Sequence, residues 1–243
     1  MDRFIDIHSH ILFGIDDGSK NIEESIELLK QHAMMGITDV VLTPHYIENS
    51  RYHANNEKKQ KILEKLKQEA ENLNINLYLG NEVFVNNNLE ELLKNNEIAT
   101  INNTKYLLIE LPMTNKIKNI TEILYELKIR GITPIIAHPE RYEYVQKNIK
   151  YLDDLIDEGA LFQSNLGSIL GIYGSKPKKC IKKLLKNDYI EFLATDIHYP
   201  NSKIYKGHEK AKTKIKKLIG EEKYQMLAVF NPKKIIENEE LEN

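Results

Sequence analysis

The chain of 243 residues carries 34 Lys and Arg against 36 Asp and Glu, a formal net charge of -2, with 41% hydrophobic residues. That length accommodates one large α/β domain with a substantial core, and the balanced charge argues against a nucleic-acid or anionic-membrane surface as its main business. The single cysteine, Cys180, excludes an intramolecular disulfide framework and a Cys-rich zinc site, and with no leader pattern or membrane-length apolar run the expected location is cytoplasmic, without membrane insertion.

The first apolar run, Phe4-Ile5-Asp6-Ile7-His8-Ser9-His10, reads as a strand that sends Asp6, His8 and His10 to one face and Ile5 and Ile7 to the other. Two histidines so spaced can share a metal ion, though the pattern also arises by chance. Residues 14–19 read as a turn-rich loop. Asn21 caps a helix in which Ile22, Ile26, Leu29, Ala33 and Met34 recur at helical spacing until Gly36. A strand over 40–43 ends at Pro44-His45, a polar loop covers 46–56, and 57–73 is an amphipathic helix. The third strand, 77–81, leads into Glu82; after a short helix at 89–94, a strand at 106–109 is followed by Glu110. A helix over 120–130 precedes the strand 133–137, which ends at His138, and a helix over 149–157 precedes the strand 161–165. Pro177 fits the first turn of a helix reaching Lys186, and the last strand, 190–195, ends in Asp196-Ile197-His198. Helices at 211–218 and 221–230 and an acidic tail from Glu237 complete the chain. The basic stretches Lys176-Pro177-Lys178-Lys179 and 210–217 read as solvated helix faces, and Cys180 as a helix residue without chemistry. Seven short strands alternating with helices imply parallel pairing, and their number and length favour a barrel in one domain, 1–243.

Six of the seven apolar runs end in His, Asp or Glu: His8 and His10, His45, Glu82, Glu110, His138, and Asp196 with His198. In an α/β barrel all strand C-termini meet at one mouth, which Asp17 reaches from its loop. A separately satisfied polar residue explains any one of these, but not the set. Nine imidazoles and carboxylates exceed the needs of one tetrahedral zinc and suit two or three ions sharing a bridging carboxylate, with manganese, iron and zinc all fitting the donor types. Such ions lower the pKa of bound water and clamp phosphoryl oxygens, which makes phosphoester hydrolysis the leading reaction.

The strings Ile5-Asp6-Ile7-His8-Ser9-His10, Asp16-Asp17-Gly18, Thr43-Pro44-His45, Gly80-Asn81-Glu82, Leu108-Ile109-Glu110, Ala137-His138-Pro139-Glu140-Arg141-Tyr142 and Ala194-Thr195-Asp196-Ile197-His198 resemble the bacterial manganese-dependent tyrosine phosphatases of capsule and exopolysaccharide operons, within the polymerase and histidinol phosphatase (PHP) superfamily. The resemblance implies a distorted seven-stranded (β/α)7, TIM-like barrel with three divalent metal ions, Mn2+ first among them. His8, His10, Glu82 and Asp196 would hold one ion; Glu82, Glu110 and His138 a second; Asp17, His45 and His198 a third. Asp6 is expected to orient a ligand histidine. Arg141, His45 and Asp196 are the expected catalytic residues, with Arg141 at the substrate phosphate; a surface salt bridge with Glu140 or Glu143 is its alternative. Where related sequences often carry a second arginine, this chain has Lys203, a point charge without the bidentate fork. Tyr46, Tyr199 and Tyr205 could line the pocket or pack loops, and His32, His53 and His208 receive no role. The implied activity is hydrolysis of phosphotyrosine by a metal-bridging hydroxide, and the implied partner is the tyrosine-bearing tail of a kinase controlling polysaccharide export. A metabolite phosphatase acting on histidinol phosphate and a metal-bound, non-catalytic kinase scaffold are the alternatives. No oligomeric state is implied.

Overall fold

Uninterrupted apolar runs become strands covered on both faces, as expected for parallel pairing. The computed structural model describes residues 3–241, so the outer two residues at each end of the expected 1–243 domain lie outside the described residues. The chain runs through β1 (Phe4–Ser9), α1 (Ile22–Met34), β2 (Ile37–Leu42), β3 (His45–Tyr46), α2 (Asn56–Glu69), β4 (Asn76–Leu79), β5 (Glu82–Phe84), α3 (Leu89–Lys94), β6 (Tyr106–Glu110), α4 (Ile120–Lys128) and β7 (Thr133–Ala137). It continues through α5 (Glu143–Lys147), α6 (Asp153–Asp157), β8 (Leu161–Asn165), α7 (Leu166–Leu170), α8 (Ser175–Lys186), β9 (Phe192–Ala194), α9 (Lys203–Ile219), α10 (Glu221–Gln225) and, after a π-helical turn, α11 (Asn231–Ile236). Every residue of β1 and β6 is buried.

All strand pairs are parallel, in two sheets ordered β1-β2-β4 and β3-β5-β6-β7-β8-β9. The described residues thus hold nine strands, not the seven expected. Pro44, which lacks an N–H, ends the second expected strand, but pairing resumes beyond it at His45–Tyr46, partly in the expected loop, and Gly80-Asn81 interrupts the third. Each run resumes as a two- or three-residue strand that starts the second sheet, with His45 opposite Glu82. The Asn81 amide donates to Pro44 O at 2.8 Å, holding the two breaks level.

The outgoing end of β9 returns to β1. Asp196 N donates to His8 O at 2.9 Å, His10 N donates to Ile197 O at 2.8 Å, and Ser9 bridges Ile197 in parallel.

Asn21 caps α1 as its position predicts, accepting from Glu24 N at 2.9 Å. The helix expected at 211–218 begins earlier, at Lys203, where Ser202 accepts from Ile204 N. Three helices, α5, α7 and α11, are additional; at five or six residues each they are too short for periodicity to reveal.

Candidate metal centre

All nine expected donors gather where strand ends converge. His8 and His10 leave the end of β1; their Nε2 atoms lie 3.2 Å apart and each is 3.2 Å from Glu82 Oε2. Asp196 Oδ1 stands 3.5 Å from His8 Nε2 and 3.4 Å from His10 Nε2. The other Glu82 oxygen, Oε1, is 2.9 Å from His138 Nε2, which in turn lies 3.6 Å from Glu110 Oε1. His45 Nδ1 is 3.0 Å from Glu82 Oε2, and Asp17 Oδ1 is 3.7 Å from both His45 Nε2 and His198 Nε2. Glu82 therefore spans two groups of donors. The set has a depth gradient: the His8 and His10 side chains are 0% exposed, whereas His45, His198 and Asp17 rise to 13%, 23% and 48%.

A chain of amides fixes which ring nitrogen faces inward. Asp196 Oδ2 can only accept, so Asn165 Nδ2 donates to it at 2.6 Å. Asn165 Oδ1 then accepts from Gln163 Nε2 at 2.8 Å, which turns Gln163 Oε1 toward His8 Nδ1, again at 2.8 Å. His8 must donate from Nδ1 and present the Nε2 lone pair to the centre. Asp16 does the same for His10, accepting from Nδ1 at 2.7 Å, and also accepts from the backbone N–H groups of His45 and Gly18. Two Nε2 lone pairs 3.2 Å apart repel unless a cation lies between them. Donors around an ion with bonds of about 2.1 Å stand roughly 3.0–3.4 Å apart, so the residues fit a divalent metal. The Nδ1 atom of His45 is buried without a well-aligned hydrogen bond although it lies 3.0 Å from Glu82 Oε2, a second sign of the same demand.

The electrostatics show what protons do in place of a metal. Burial opposes charge on His8, but Glu82 and Asp196 outweigh it and raise its pKa to about 9. Burial also opposes charge on Glu82, yet His8 and His45 hold it well below the usual range. Glu110 is pushed up to about 8 by burial and the adjacent Glu82 charge, and His198 is pushed down to about 4 by burial and His10.

His138 and Asp196 both adopt left-handed backbone, at φ 37° and 53°. Such conformations in non-glycine residues cost about 1–3 kcal/mol each and gather at functional sites. Gly18 makes the loop over β1 possible, because a Cβ there would fall 2.1 Å from His10 O.

Arg141 Nη1 donates to Asp196 Oδ2 at 3.0 Å, so neither Glu140 nor Glu143 is its partner. Its guanidinium lies 4.8 Å over the Tyr173 ring and lines a cavity of about 570 Å³. Glu140 is instead fully buried, accepting from Ser164 Oγ, Asn165 N and Ser168 Oγ. Lys203 stands exposed in the first turn of α9.

Asp6 departs from expectation. A register shift follows it in β1, and its carboxylate accepts from His32 Nε2 at 3.0 Å and from Thr195 Oγ1 at 2.5 Å and N at 2.9 Å. The histidine that it orients is thus His32, outside the donor cluster. Tyr46 is buried, Tyr205 packs edge-on to His32, and Tyr199 is exposed. His208, given no role from the sequence, is buried against Phe4.

Asp16, Gln163 and Asn165, which hold the donors in place, are not among the residues expected from the sequence. A signal existed: the one apolar run that lacks an acid or histidine at its end finishes in Gln163-Ser164-Asn165.

Residues 4–237 match the family described as "Capsular polysaccharide synthesis, CpsB/CapC". The chain is 43% identical over 197 residues to the putative tyrosine-protein phosphatase CapC of Staphylococcus aureus, covering 80% of this chain and 76% of that protein. It is also similar to a crystal structure from work on YwqE of Bacillus subtilis and CpsB of Streptococcus pneumoniae, described as metal-dependent tyrosine phosphatases, with a TM-score of 0.92, 29% identity and 98% and 96% of the two chains covered. A histidinol phosphate phosphatase from Lactococcus lactis shares the fold at a TM-score of 0.58 and 14% identity, covering 89% of this chain and 94% of that one. With this match over almost its whole length, the chain belongs to the CpsB/CapC family.

Proposed function

We propose that the chain is a metal-dependent protein-tyrosine phosphatase formed by a single PHP-type domain over 1–243. The two sheets form one distorted barrel, a reading supported by the hydrogen bonds that return β9 to β1. The observation that carries the function is the convergence of five imidazoles and four carboxylates on a bridging Glu82, with the Arg141 guanidinium alongside. His8, His10, Glu82 and Asp196 would hold one divalent ion, Glu82, Glu110 and His138 another, and Asp17, His45 and His198 a third, with Mn2+ the first choice. Bound ions supply an acidified water and neutralise phosphoryl oxygens.

The remaining chemistry belongs to the chain. Arg141, anchored through Nη1 on Asp196, directs its other N–H groups at the phosphoryl oxygens. Asp196 thereby couples the donor cluster to the substrate side, and His45, with His198, forms the solvent-facing rim where phosphate enters. Lys203 adds long-range attraction. A tyrosinate leaving group, with a pKa of about 10, departs with little protonation, which favours phosphotyrosine over phosphoserine. The substrate is a flexible tyrosine-bearing kinase tail in the cytoplasm.

The test is hydrolysis of p-nitrophenyl phosphate with and without added Mn2+, with elemental analysis, followed by a phosphotyrosine peptide against histidinol phosphate. Metal-dependent turnover with a strong peptide preference is expected. A strong preference for histidinol phosphate would assign the chain to metabolite chemistry, and kinase binding without turnover would make it a scaffold.

A further inference from the structure

Half of α8 is lysine, and the helix has no acid. Lys176, Lys179 and Lys183 recur three and four residues apart, which places them on one face. With Lys147 at the end of α5 they line a groove of about 280 Å³ floored by the buried Cys180. Glu143 is the one acid on its wall. The groove and the 570 Å³ cavity that contains Arg141 share Glu143, Gln146 and Lys176, so the lysine strip opens directly on the cavity of the arginine, with Glu143 the one acid at their junction.

These lysines do not behave like the solvated helix faces expected from sequence. On α2 and α3, Lys61 and Lys94 each pair with an acid four residues away, Glu57 and Glu90, whereas α8 offers its lysines no acid of its own. Among the described residues Lys147, Lys176, Lys179 and Lys183 are all exposed and none has such a partner. A chain of net charge -2 thus concentrates uncompensated positive charge along one concave strip.

We infer that this groove binds carboxylate side chains that flank the phosphotyrosine of the substrate, an assignment that rests on the phosphatase reading above. Lys176 to Lys183 spans seven residues, about 10 Å along the helix, the length of about three residues of extended peptide. The groove therefore reads acidic residues within three or four positions of the phosphotyrosine, on the side leading away from Arg141. A flat anionic membrane would meet exposed convex surface instead of a groove that opens on the Arg141 cavity.

The test uses two phosphotyrosine peptides that differ only in having Glu or Gln at the flanking positions, with p-nitrophenyl phosphate as a substrate that has no flanks. Wild-type protein with Mn2+ should turn over the Glu peptide with a kcat/KM about tenfold higher, mainly through KM, and the preference should shrink in high salt. The triple variant Lys147→Gln, Lys179→Gln, Lys183→Gln, in which every changed residue lines the groove but not the Arg141 cavity, should lose the preference while hydrolysing p-nitrophenyl phosphate as before. Equal turnover of the two peptides by wild type, or an undiminished preference in the variant, overturns the groove alone. So does a variant with unchanged peptide kinetics that no longer binds phosphatidylglycerol vesicles, which would assign the lysines to a membrane. Absence of p-nitrophenyl phosphate hydrolysis overturns the phosphatase reading and the groove with it.

Discussion

Gln163→Met isolates the part of the site that works through protons. The substitution nearly preserves side-chain length but removes the acceptor for His8 Nδ1 and the donor to Asn165 Oδ1, both at 2.8 Å and both wholly buried. Each buried group left unsatisfied costs about 1–3 kcal/mol, so with two of them the metal-free protein should lose about 2–6 kcal/mol, or roughly 4–24 °C in Tm for a chain of this size. Metal affinity should fall as well, because His8 is no longer held with its Nε2 lone pair inward. Loss of such a partner typically weakens binding by about 10–100-fold, equivalent to about 1.4–2.7 kcal/mol. Calorimetric titration with Mn2+ measures the affinity, and thermal unfolding in chelator measures the stability separately. Gln163→Glu divides the two effects: its carboxylate still accepts from His8 but cannot donate to Asn165, so affinity should recover while stability stays low. An unchanged Mn2+ affinity in Gln163→Met would refute the tautomer argument.

Arg141→Lys keeps the charge beside Asp196 but loses the planar fork; kcat/KM on a phosphotyrosine peptide should fall by about 10–100-fold with metal content unchanged, as elemental analysis would show. Cys180→Ser should leave activity intact, since burial pushes that thiol up to about 12 and no thiolate is available to attack phosphorus; inactivation would point to a cysteine mechanism. Lys59 is fully buried, donating to Asn81 Oδ1 and Glu97 O, and burial depresses its pKa to about 7. The unfolded chain binds this proton more readily, so wild-type stability should rise with pH between about 7 and 10.5, and denaturant titrations of Lys59→Met should lack that rise.

The gathering of donors at strand ends was legible because a strand places every second residue on one face and its last residue beyond the sheet. Pattern alone found His45, Glu82, Glu110, His138 and Asp196. It could not find what holds them, since the acceptors of His8 and His10 depend on the approach of β8 and on a loop fold that has no periodicity. The strand count failed for a local reason: beyond Pro44 and Gly80-Asn81 the chain resumes pairing in strands of two and three residues, too short for alternation to show. Likewise, α5 and α7 are shorter than the window in which a helical repeat can be recognised.

Asp6 shows how a misread residue bears on the site. Its sequence position beside His8 suggested a direct hold on a ligand, but its carboxylate accepts from both N and Oγ1 of Thr195. That contact sits immediately before Asp196 and alongside the backbone bonds from Asp196 N to His8 O and from His10 N to Ile197 O. The first and last strands are thus registered by one buried acid, and the two strand ends carry His8 and His10 on one side and Asp196 and His198 on the other. Asp196 holds a left-handed backbone at φ 53°, a conformation that surrounding bonds must enforce. Asp6 supplies that constraint from outside the donor cluster, and it is itself aligned by His32, which Tyr205 approaches from α9 at 3.1 Å. The geometry of the donor cluster is therefore set as much by helices behind the sheet as by the strands that carry it.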